Sequence, residues 1–395
     1  MLRMLRWTFA AVALAVAAGA SADQTPAMLA YGRGIDCFQA RNWSGAESAF
    51  RDAVRLKTDY AEAYDKLGES LFNQGKVFDA VTQFRLSVAI DPRLTVAWYD
   101  LGYGYENLDG DVKVKDDAKT RKKLMRTEVD QAIVAYQKAL EVSEGNDLAS
   151  RVNSHFRLGV LLRDRALAAW DAAHPEASTA PGAPLDMDKA NLKEAMLHLE
   201  AANELNKDFP EARNELGRLY DVIGRYPEAI EQYDKAIRGD KNFAEAYSNR
   251  GVAWWKMGKW DRALEDERKA VEVDPNFAGG HYNFGEVVYA HVEELRLNGK
   301  DSERSVIHLE SQKAVEEYTL ATKLDPKFMA AWYGLAKAEE GYFDFAAAEK
   351  TYNQILAMDS RQHKAKKLLK DLQKQEKSYL SHIPKEYRPD QVQGN

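Results

Sequence analysis

The side chains of this chain that could hold a metal or move a proton are eight histidines, one cysteine and 62 acidic residues. A zinc site on a helix needs two histidines at i and i+4, so that both imidazoles leave one face. The histidines stand at 155, 174, 198, 281, 291, 308, 363 and 382, and no two are four apart. His281 and His291 share a helical stretch, but ten residues put them nearly three turns apart, too far for one ion. There is no CxxC or CxxCH, no GxSxG nucleophile turn and no phosphate-cradling glycine loop. Gly102-Tyr103-Gly104 lies inside a helical pattern with no strand before it, whereas a dinucleotide fingerprint needs strand, loop and helix in that order. Carboxylate pairs occur throughout so acidic a chain and single out no site. The residues therefore predict no enzyme, no metal ion and no cofactor.

What the sequence does have is a repeat. PEARNELGRLYDVIGRYPEAIEQYDKAIRGDKNF, residues 210–243, is followed without a gap by AEAYSNRGVAWWKMGKWDRALEDERKAVEVDPNF, residues 244–277, at a period of 34. Gly217 and Gly251 coincide, as do Ala229 with Ala263, Ala236 with Ala270, and Gly224 with Gly258 at the turn between. Small residues stand where two helix backbones must approach closely. Larger apolar ones, counted at positions 4, 7, 11 and 24, follow the three and four spacing of one helical face. Period and pattern resemble the tetratricopeptide repeat family, whose unit is a helix-turn-helix with a W..LG..Y, A...F, P signature.

The resemblance extends over residues 27–362 and implies an all-α fold, a right-handed superhelical solenoid of about eight units in one continuous array. The units fall at 27–60, 61–94, 95–146, 152–209, 210–243, 244–277, 278–328 and 329–362. Three carry inserts between their helices. The first, around 111–129, is dense in lysine and arginine with acids interleaved and reads as a solvated extension of the second helix, or as a docking site for an anionic partner. The second contains HPEASTAPGAPLD, residues 174–186, and reads as a mobile surface loop. The third is helical on both sides of Asn298-Gly299 and reads as a longer hairpin. Residues 363–380 form an amphipathic capping helix with Ala365, Leu368, Leu369 and Leu372 on its apolar stripe, and the polar tail 381–395 frays.

The first 22 residues differ from the rest. Arg3 and Arg6 precede WTFAAVALAVAAGA, and Ala20-Ser21-Ala22 offers small residues for cleavage, the pattern of a secretory signal peptide. An apolar run this short is no stable membrane span. The whole chain carries 55 basic against 62 acidic residues, a net charge of −7, which excludes nucleic acid as a partner. Cys37 is the lone cysteine and cannot form an internal disulfide; it stands at a position that family members pack, so it reads as a buried structural thiol.

The resemblance also implies where a partner would sit. In the family the first helix of each unit lines the concave surface, with positions 2, 5, 9, 12 and 13 facing the groove. Here these positions hold Tyr31 and Phe38; Asp65, Glu69, Phe72 and Asn73; Tyr99 and Tyr103; and Phe156. They continue with Asn214, Arg218 and Asp221; Ser248, Trp255 and Lys256; Tyr282, Glu286 and Tyr289; and Tyr333 and Lys337. Asn249 and Asn283 match an asparagine that some members use to hold a terminal carboxylate, but the accompanying basic residues are missing, so carboxylate capture is not expected. Aromatic faces with polar handles anchor peptides. The expectation is an exported, periplasmic or secreted scaffold that binds a protein or peptide segment of a cell-envelope assembly. The alternative is a polysaccharide or peptidoglycan strand stacked on the same rings.

Overall fold

The computed structural model describes residues 25–108, 118–143, 147–173, 192–298 and 304–382. The leader 1–22, the stretch 174–186, the first part of the charged insert and the tail beyond 382 lie outside the described residues. Among the described residues seventeen helices account for the fold, and there is no strand. Sixteen of them pair in chain order: α1 (Pro26–Gln39) with α2 (Trp43–Leu56), α3 (Ala61–Phe72) with α4 (Val77–Ile90), α5 (Thr95–Glu106) with α6 (Ala118–Val142), and α7 (Leu148–Ala173) with α8 (Lys193–Leu205). Then come α9 (Pro210–Val222) with α10 (Tyr226–Gly239), α11 (Ala244–Lys256) with α12 (Trp260–Val273), α13 (Ala278–Asn298) with α14 (Arg304–Leu324), and α15 (Met329–Gly341) with α16 (Phe345–Met358); α17 (His363–His382) follows.

Seven of the eight pairs are joined at a close approach that the sequence sets. A glycine of the first helix faces a large side chain of the second: Gly34 and Phe50, Gly68 and Phe84, Gly102 and Tyr136, Gly217 and Tyr233, Gly285 and Tyr318. A Cβ at Gly68 would lie 2.5 Å from the Phe84 ring, so only glycine admits the partner. The sixth repeat departs from the rule, because Gly251 faces Glu267 rather than an apolar side chain.

Three of the tight turns reverse through a left-handed residue, Gly75, Gly224 and Gly258, with φ between 68° and 77°. In the first repeat Arg41 takes that conformation, with φ 55°. A side chain there costs roughly 1–2 kcal/mol. Arg41 is exposed, so Arg41→Gly is expected to stabilise the first repeats by about 0.5 kcal/mol after the added flexibility of the unfolded chain is subtracted. Urea unfolding checks it, and a net loss of stability would mean that the turn is unstrained.

The helices group into two compact units, one ending at Glu215 and the other beginning at Leu216, with the division inside α9. In the first unit Phe50, Leu67, Leu71, Phe84, Val88 and Leu101 form the main cluster, and Val152, Ala202, Phe209 and Ala212 a second. Cys37 is half-buried against the main cluster, less enclosed than its position in the repeat implies. In the second unit Phe284, Val288, Tyr318 and Leu335 pack together, and Ala365 and Leu372 of α17 close a cluster built on Phe345, Tyr352 and Ile355. The lysines of α17 at 364, 366, 367 and 370 are exposed.

Where the inserts are described, they lengthen helices. α6 starts at Ala118 and runs for 25 residues, and α13 and α14 each run for 21 and pack against one another. Among the described residues no helix is long and apolar enough to cross a membrane.

Candidate functional site

Within each unit the first helices of successive repeats touch, α3 to α5 to α7 in one and α11 to α13 to α15 in the other. Side chains one repeat apart on these helices therefore meet. In the first unit this gathers Phe72, Asn73, Tyr99, Tyr103 and Phe156 around a cavity of about 510 Å³. Phe72 lies 5.1 Å from Tyr103, Tyr103 is stacked at 6.4 Å on Tyr99, and Phe156 meets Phe209 at 4.9 Å. Phe72, Tyr99, Tyr103 and Phe156 are half-buried, and Phe209 is buried. The amide nitrogen of Asn73 is turned back to the Glu69 carbonyl oxygen, donating to it at 2.8 Å.

Charged residues complete the wall. Lys66, Asp100 and Arg157 all line the cavity, and each is the sixth residue of its repeat. The Arg157 guanidinium lies 5.0 Å over the Tyr103 ring and 3.5 Å from the Glu106 carboxylate. Lys66 pairs with Glu69 and reaches Asp65 at 3.8 Å. Behind the wall Asp65 is 1% exposed. Burial pushes its carboxyl up to about 7 against the opposing pull of Lys66, and burial beside Asp65 and Glu69 pushes Asp100 well above the carboxylate range. Asp65, Glu69 and Asp100 bring carboxylate oxygens within 4.8 Å of one another, a spacing that a metal ion could use, but the Lys66 ammonium already supplies positive charge there.

The other predicted contact residues are not part of this cavity. Tyr31 packs on Phe50 at 5.4 Å and Tyr60 at 5.1 Å, and burial raises its hydroxyl to about 12; Phe38 sits edge-on to Trp43 at 5.0 Å. Asn214 is buried at 1% exposure, whereas Arg218 is exposed. In the second unit Asn249 and Trp255 are half-buried, and Lys256 pairs with Asp221 at 2.5 Å. Tyr282 packs on Phe328 at 4.9 Å, Lys337 lies 4.5 Å over the Tyr289 ring, and Lys364 lies 4.8 Å over Tyr333. These side chains are engaged singly with neighbours rather than gathered around one hollow.

Sequence reasoning missed the sixth-position residues. It used that position only for Asn249 and Asn283, although Lys66, Asp100 and Arg157 fall on it at the regular period. It also missed a polar pocket of about 520 Å³ in the second unit, on the face of Trp254. There Arg262 lies 4.6 Å over the indole and Arg250 bridges Asp266 at 2.6 Å and Asp234 at 2.5 Å. Trp254 stands at a packing position of its repeat, which concealed it.

Family models described as tetratricopeptide repeat match residues 31–94 and 244–277, and one described as TPR repeat matches 223–258. Among curated protein sequences none matches the chain. A tetratricopeptide repeat protein from Parabacteroides merdae is similar in structure, with a TM-score of 0.50 and 15% identity over 79% of this chain and 98% of that one. YrrB, described as a TPR protein with an unusual peptide-binding site, is 21% identical over 59% of this chain and 95% of its own, with a TM-score of 0.40. The pilF protein of Pseudomonas aeruginosa is 16% identical over 70% and 97%, with a TM-score of 0.44. Matched repeats in both units, helices paired throughout, and a glycine-seated contact at the same place in pair after pair make the chain a tetratricopeptide-repeat protein.

Proposed function

We propose that the chain is an exported scaffold that holds a peptide segment of a cell-envelope protein in the aromatic cavity of its first unit. The repeat fold itself is that of a protein-binding scaffold. The observation that carries the finer reading is the convergence of Phe72, Tyr99, Tyr103 and Phe156, from three repeats, on one hollow of about 510 Å³. A space of that size takes one or two side chains of an extended or helical segment, and half-buried rings bind them with little loss of side-chain freedom. Export rests on the two arginines, the apolar run and the small-residue site at the start of the chain.

Two measurements test it. Phe72→Ala with Tyr103→Ala is expected to weaken capture of the envelope partner about tenfold or more, since a pair of such anchors contributes upward of about 1.4 kcal/mol. The helical signal should be unchanged, and undiminished capture would place the partner elsewhere. Fractionation of cells expressing the full chain should find it outside the cytoplasm and shortened near Ala22; an intact cytoplasmic chain would remove the envelope from the proposal.

A further inference from the structure

The charges of this chain are spread unevenly. α17 carries six lysines against two acids, in a chain whose net charge is −7. Lys366, Lys370, Lys374 and Lys377 follow one another at steps of four, four and three, and Lys367 stands two turns before Lys374, so all five leave one face of the helix. That face is turned away from the protein. The five lysines are exposed, whereas Ala365 and Leu372 on the opposite side are buried against Phe345, Tyr352 and Ile355.

Charged side chains on α2, α10 and α14 pair within one turn, Glu47 with Arg51, Glu231 with Lys235 and Lys313 with Glu316. In the stripe only Lys374 has such a partner, Asp371 at 3.2 Å. Among the described residues Lys366, Lys367, Lys370 and Lys377 have no ion pair. The residues beyond 382 carry two bases and two acids, no excess that would neutralise them. Like charges three and four residues apart repel and weaken a helix, a cost that a partner of opposite charge reverses.

We propose that the outer face of α17 docks on an anionic lipid surface, with phosphate headgroups against the lysine ammonium groups and the helix lying on the bilayer rather than in it. The stripe is about 16 Å long, twice the screening length of about 8 Å at physiological salt, so it engages several headgroups at once. Lipid fits better than an acidic protein because protein partners are held by rings and apolar side chains seated in hollows. Here the exposed residues among the lysines are Asp371, Gln373 and Gln375, none of them an anchor. The proposal uses no residue of the aromatic cavity and stands independently of the peptide-binding reading.

The test is sedimentation with vesicles of equal parts phosphatidylglycerol and phosphatidylcholine. It uses the chain from Asp23, which keeps every helix of the fold and leaves out the apolar leader that would itself enter lipid. The protein should sediment with these vesicles, stay in solution with phosphatidylcholine alone, and be released by about 0.5 M sodium chloride. Lys366→Gln, Lys370→Gln, Lys374→Gln and Lys377→Gln should each weaken binding about fivefold, and together more than about a hundredfold, with the helical signal unchanged. The same four-charge change at Lys207, Lys241, Lys323 and Lys327, exposed lysines outside α17, should leave binding within about fivefold of the wild type. Equal sedimentation with phosphatidylcholine, undiminished binding by the α17 variant, or an equal loss in the second variant would overturn the proposal. Binding of poly-glutamate through α17 without binding of vesicles would assign the stripe to an acidic protein and overturn it as well.

Discussion

Replacing Tyr318 by alanine is expected to cost the second unit about 4 kcal/mol, the upper part of the range for a fully buried aromatic. Tyr318 is 1% exposed. Its ring fills the gap between α13 and α15, where a Cβ at Gly285 would come within 2.9 Å of it and one at Gly334 within 2.4 Å. Neither glycine can grow to fill the void that alanine would leave, so the gap stays open as a cavity. The hydroxyl donates to Glu286 Oε1 at 2.6 Å, and alanine would remove that bond as well. Tyr318→Phe isolates this term at about 1–2 kcal/mol. Urea unfolding followed by far-ultraviolet circular dichroism separates the two. A loss below about 1 kcal/mol for the alanine variant would mean that the ring is not the keystone its contacts indicate.

The second large effect is a dependence on pH at Glu267. In six other pairs the residue seated on the glycine is phenylalanine, tyrosine or leucine; here it is a carboxyl group with no exposed surface. Oε2 accepts from the Ser248 hydroxyl at 2.8 Å, whose oxygen accepts from the Asn283 amide at 3.0 Å, while Oε1 has no partner. Burial holds the carboxyl protonated well above the ordinary glutamic acid range, with the charges of Asp266 and Glu317 acting in the same direction. The folded state thus binds a proton that the unfolded chain gives up near pH 4.3, a value of about 4.3 being usual for free glutamic acid. Stability is full below that pH and declines as pH rises toward the folded value, by about 1.4 kcal/mol per pH unit. Glu267→Gln keeps the shape and removes the titration. Asp266 and Glu339 also titrate upward from their usual range and Glu317 downward, but they are common to both chains and largely cancel in the comparison. As pH rises above 5 the unfolding free energy of the wild type should therefore fall relative to that of the glutamine variant. Parallel curves would show that Glu267 is ionised in the fold and stabilised by something other than its proton.

The two cases show which part of the molecule the sequence reveals. The period of 34 and the coincidence of Gly217 with Gly251 state the helix pairs, because close backbone approach leaves no choice but a small residue. The cavity was half legible. Phe72, Tyr99, Tyr103 and Phe156 could be placed on one face by the repeat resemblance, whose groove positions keep the spacing of one helical stripe. That they would converge depends on how α3, α5 and α7 lie against one another, which long-range packing fixes. Asn214 shows the limit from the other side, for it stands at a groove position and is buried. Lys66, Asp100 and Arg157 were hidden because the sixth position lies at the border between packing and groove. Which way a border residue turns is settled by its charge partners, and these come from different repeats.

The glycine seat has one more consequence. Gly102 still holds Tyr136, and Gly285 still holds Tyr318, although 34 and 33 residues separate them against the 16 between Gly34 and Phe50. Extra chain enters at the tip of the hairpin, beyond the seat, so it changes how far a hairpin reaches without altering how it is clasped. A foreign domain spliced into the Met257–Lys259 turn would be carried in the same way, as cargo on an undisturbed frame.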